Sequence, residues 1–156
     1  MNASRIGGVQ EGVQVGASAW YETGPYDADL GAALRAAQEI ALNSGVHGVN
    51  VESIDELWQD EDWLEFVGTG GTGTVLDICR LIGEDQPDAS ATLRPMGAGT
   101  FRELLGIWRR PTYADFVEGY AMDKLPNPDS RGSARCAVLY RDEKPSQVVY
   151  WGLTAD

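Results

Sequence analysis

The sequence predicts a single α+β domain: about four strands in a mostly antiparallel sheet that ends in a C-terminal hairpin, with the helices packed on one face. Three observations predict it. Val13, Val15, Ala17 and Ala19 alternate along residues 13–22, the period-two pattern of a half-buried strand. Leu30, Ala33, Leu34, Ala37 and Ala41 recur at helical spacing and give one apolar face. At the end of the chain, two strand-like runs over 135–141 and 146–154 are joined by Asp142-Glu143-Lys144-Pro145, a normal hairpin length. The hairpin makes antiparallel pairing the expectation, with helices covering one side.

The elements follow in order. Residues 1–12 are small and polar without a period and read as a flexible N-terminal arm, leaving 13–156 as the domain. Thr23-Gly24-Pro25 reads as the turn after the first strand. Asp27 is the expected N-cap of the long helix, and Asn43-Ser44-Gly45 its C-cap. Ser53-Ile54-Asp55-Glu56 fits a capping box opening one short helix to about Phe66. Gly68–Gly73 is a glycine–threonine connector, and 74–82 (TVLDICRLI) reads as a strand. Residues 83–91 are polar and form a loop. Thr100 is the expected cap of a helix to about Trp108, with Leu104, Leu105 and Trp108 on one side. Pro111 interrupts it, and Thr112-Tyr113-Ala114-Asp115 starts the last helix.

With 156 residues, the chain buries enough surface to fold without a disulfide or metal staple. Its net charge is −12 and lies almost wholly in the first half. Residues 1–79 hold Arg5 and Arg35 against thirteen acids; residues 80–156 hold ten basic groups against eleven acids. Such a field repels phosphate backbones and anionic membranes, which argues against nucleic-acid and membrane partners. It attracts a basic protein. Cys79 and Cys136 stand in no C-x-x-C or zinc spacing and, beside apolar strand residues, are expected as buried reduced thiols. The sequence shows neither a secretory signal nor an apolar run near the roughly 20 residues of a membrane span, so the cytoplasm is the expected address.

Ala19-Trp20-Tyr21, Tyr26, Leu57-Trp58-Gln59-Asp60-Glu61, Val75-Leu76-Asp77-Ile78 and the Cys136-to-Asp156 hairpin with its Tyr150-Trp151-Gly152 form an ordered set of motifs. In this order the chain resembles an uncharacterised family of small acidic bacterial α+β proteins with no assigned function. The resemblance implies the fold and no activity. Members of that family carry a histidine and serine before the leucine–aspartate strand, where this chain has Gly73 and Thr74. A site built on that histidine is therefore not carried over.

Four candidate sites emerge from the residues. Gly68–Gly73 fits G-x-G-x-x-G, but a helix precedes it and a strand follows, the reverse of a dinucleotide site; no cofactor is expected. Trp58, Asp60, Glu61, Asp62, Trp63 and Glu65 form the candidate binding segment, because exposed tryptophans among charges make interface anchors. Its spacing matches no calcium loop, and no metal is expected. His47, the only histidine, and Asp77 are the candidate catalytic groups. Arg102, Arg109 and Arg110 form a basic island expected to pair with the acidic first half. Alternation sends Trp20 and Tyr21 to opposite faces of the sheet, and likewise Tyr150 and Trp151.

Two functions lead, ahead of a third reading as a purely structural or assembly subunit. The first is a non-catalytic acidic binding protein of inhibitor or immunity type that engages a basic protein partner. The alternative is a small enzyme, such as a biosynthetic tailoring enzyme, using carboxylate acid–base chemistry in an aromatic-lined pocket; a small-molecule ligand stays open.

Overall fold

A computed structural model of the chain describes residues 17–45 and 51–156. The expected arm, the Val13–Gly16 part of the first strand and His47 lie outside the described residues.

Strand β1 (Ala19–Pro25) leads into helix α1 (Leu30–Asn43), then α2 (Ile54–Leu57) and α3 (Glu61–Thr69). A 3-10 turn (Val75–Asp77) follows, then β2 (Arg80–Leu81) and β3 (Thr92–Pro95). Helices α4 (Ala98–Leu105) and α5 (Tyr113–Ala121) precede the hairpin of β4 (Ala134–Arg141) and β5 (Lys144–Leu153).

The sheet is mixed and five-stranded, in the order β1-β5-β4-β3-β2, which corrects the expectation of four mostly antiparallel strands. The β1–β5 and β5–β4 pairs are antiparallel. The β4–β3 and β3–β2 pairs are parallel. Parallel neighbours need a crossover, and α4 and α5 lie in the one that joins β3 to β4.

Helices also cover both faces rather than one. On one face Trp20, Leu93, Ala134, Cys136, Val148 and Tyr150 pack with Ala33, Leu34 and Ala37 of α1. On the other, Ala137, Leu139, Val149 and Trp151 pack with Phe101 and Leu105 of α4 and Phe116 of α5. Trp20 and Tyr150 thus share a face while Trp151 takes the opposite one, as alternation requires. A third cluster joins Ile54, Leu57, Trp63, Val67 and Leu76.

Several local expectations shift for physical reasons. Thr23-Gly24-Pro25 is no turn: it pairs with Gln147–Val149. A Cβ on Gly24 would stand 2.8 Å from the Ala37 Cβ, so the glycine lets α1 lie close against β1. The N-cap of α1 is Asp29, whose Oδ1 accepts from the Gly31 and Ala32 amides, while Asp27 accepts from the Asp29 amide one turn earlier. The hairpin turn shortens to Asp142-Glu143, both with positive φ (52° and 68°), the primed geometry that suits strand twist. Lys144 and Pro145 extend β5 beyond its last pairing with β1, where a proline costs no bond to that neighbour. Thr100 does not cap α4; Gly97 does, and Gly106 at φ 74° ends the helix at Leu105. The capping box at Thr112 and Asp115 is complete.

Candidate functional site

The acidic segment is two helices, not one. Ser53 caps α2 by accepting from the Glu56 amide. Asp60 then caps α3: its Oδ1 accepts from the Asp62 amide at 2.9 Å and the Trp63 amide at 3.1 Å. Asp60 is thereby committed to its own helix end. Asp55 pairs with Arg35 at 3.0 Å on the surface, an exposed contact of small energetic weight. Glu56, Glu61, Asp62 and Glu65 are exposed, and none forms an ion pair among the described residues. Those residues include no group of three potential metal ligands.

The two tryptophans turn inward. Trp63 is buried in the α2–α3 core, and Trp58 is half-buried against that cluster. The apolar surface on α3 comes from Leu64 and Phe66 instead, 45% and 44% exposed. At 100° per residue, Leu64 and Phe66 flank the buried Trp63–Val67 seam on opposite sides, with Glu61, Asp62 and Glu65 on the outer ridge between them. The result is an acidic ridge with an apolar group along each side, supported from beneath by the Trp63 ring 5.6 Å from Phe66.

Asp77 is fully buried in the 3-10 turn. Its Oδ1 accepts from the Thr72 amide at 2.6 Å and the Thr72 hydroxyl at 2.8 Å, and its Oδ2 from the Gly73 amide at 2.9 Å. Gly71 and Gly73 have φ of 95° and 72°, and a Cβ on Gly71 would stand 2.7 Å from the Asp77 Oδ2. The glycine–threonine loop is therefore pinned around a carboxylate of its own chain. Its glycines serve the purpose they serve in phosphate loops, turning amides toward an anion. Capture of Asp77 also explains why 74–82 is not one strand: the chain must turn at 75–77, and only Arg80–Leu81 pairs with β3. Close by, the Glu22 carboxylate accepts from the Val75 amide at 2.8 Å, and Gln38 donates to the Val75 and Ile78 carbonyls.

The basic island does not reach the acidic half. Arg109 forms a bidentate pair with Asp115, and Arg110 donates to the Glu143 carbonyl at 2.7 Å with its guanidinium 5.5 Å from the Tyr140 ring centre. Both partners belong to the second half. Cys79 is exposed, against the expectation of a buried thiol. Cys136 is buried, and burial pushes its thiol up to about 12.

Two features escaped the residue pattern. One is Trp108, 97% exposed, outside the helix that was expected to hold it. The other is a charged staple around Asp88, whose side chain is wholly shielded. Asp88 accepts from Arg94 Nε at 2.8 Å, the Asp129 amide at 2.7 Å and Arg135 at 3.0 Å. Burial alone would raise this carboxyl; the hydrogen bonds from Arg94, Asp129 and Arg135 outweigh it and hold it at about 2. Spacings of six to forty-seven residues hid the staple from local reading.

No family model, curated protein or solved structure matches this chain. Among the described residues, no helix is long and apolar enough to cross a membrane.

Proposed function

We propose that this chain is a non-catalytic binding protein of inhibitor or immunity type, and that the α3 ridge docks a basic protein. The observation that carries the reading is the set of exposed carboxylates Glu61, Asp62 and Glu65, without cationic partners among the described residues, beside half-exposed Leu64 and Phe66. Exposed charge of one sign accelerates the encounter with an oppositely charged partner, and flanking apolar groups lengthen the bound state. Trp58 and Trp63 support the ridge from below, a different part from the anchors expected of them. Asp77 does not favour the enzyme reading, since its oxygens are occupied in holding the loop.

The test starts with capture of partners on the immobilised chain at low and high salt. Association kinetics follow for the captured protein against wild type and the triple variant Glu61→Gln, Asp62→Asn, Glu65→Gln. Asp60 is left intact because it caps α3. The triple variant should associate about tenfold more slowly at low salt, with a flatter salt dependence. A captured partner that binds both forms alike reduces the ridge to a solubilising surface.

A further inference from the structure

No further inference is drawn: the strongest candidate, the outer edge of β1 with the half-exposed Tyr21 ring beside it, carries none because nothing in the structure shows what covers it.

Discussion

Asp88→Asn attacks the point where four segments of the fold meet. The carboxylate lies in the loop before β3 and ties Arg94 of β3, Arg135 of β4 and the backbone at Asp129 to one anion. Asparagine keeps the size but removes the charge and turns an NH₂ toward two guanidiniums. Breaking a buried ion pair on one side costs about 3–5 kcal/mol. Two features reduce this. The Arg94 side chain is 22% exposed and can take water, and the Asp129 carboxylate stands 3.7 Å from Arg135. The expected loss at neutral pH is therefore about 2–3 kcal/mol. The pH dependence supplies a second constraint. Because the folded carboxyl is depressed to about 2, its stabilisation is present above the ordinary carboxylate range and is lost as pH falls from about 4 to 2. The full shift corresponds to about 2.5 kcal/mol, and screening reduces that to about 1–2 kcal/mol. Urea unfolding of wild type and variant at pH 7, 4 and 2 measures both quantities. The gap should be widest at pH 7 and 4 and should narrow at pH 2. A loss under half a kcal/mol at pH 7, or a gap that does not change with pH, refutes the account of Asp88 as an ionised staple.

Three further outcomes are expected. Without denaturant, a thiol reagent should label Cys79 within minutes and leave Cys136 untouched, and equal rates would contradict the burial of Cys136. Val148 is fully buried while Val138 is only partly so; Val148→Ala should cost about 1–3 kcal/mol by denaturant titration and Val138→Ala less than about 1 kcal/mol, the reverse order refuting the assigned register. Gly71→Ala places a Cβ at φ 95° and 2.7 Å from the Asp77 Oδ2, so it should lower stability by about 1–3 kcal/mol; a neutral result would mean that the loop is not clamped on Asp77.

What was legible in the sequence was what is decided locally. The α1 face, the capping box of α5 and the closing hairpin each depend on residues a few positions apart, and each forms. What was not legible depends on partners far along the chain. β3 is four residues, Thr92-Leu93-Arg94-Pro95, too short and too polar to show a period; it is a strand because β4 lies beside it. The 74–82 run looks like a strand because its apolar residues are contiguous. Those residues serve two different clusters, Val75 and Ile78 under α1 and Leu76 with α3. Two signals were present and misread. Val148-Val149-Tyr150-Trp151 is continuously apolar rather than alternating, the mark of a strand buried on both faces, and it argues directly for helices on both sides of the sheet. In the candidate site, Trp63 lies four residues from Val67 on the inner face of α3, so helical spacing alone turns it away from solvent. Trp108 shows the same rule from outside a helix. Gly106 is a C-cap signal; ending α4 there removes Trp108 from the leucine face and leaves its ring on the surface, where the structure holds it.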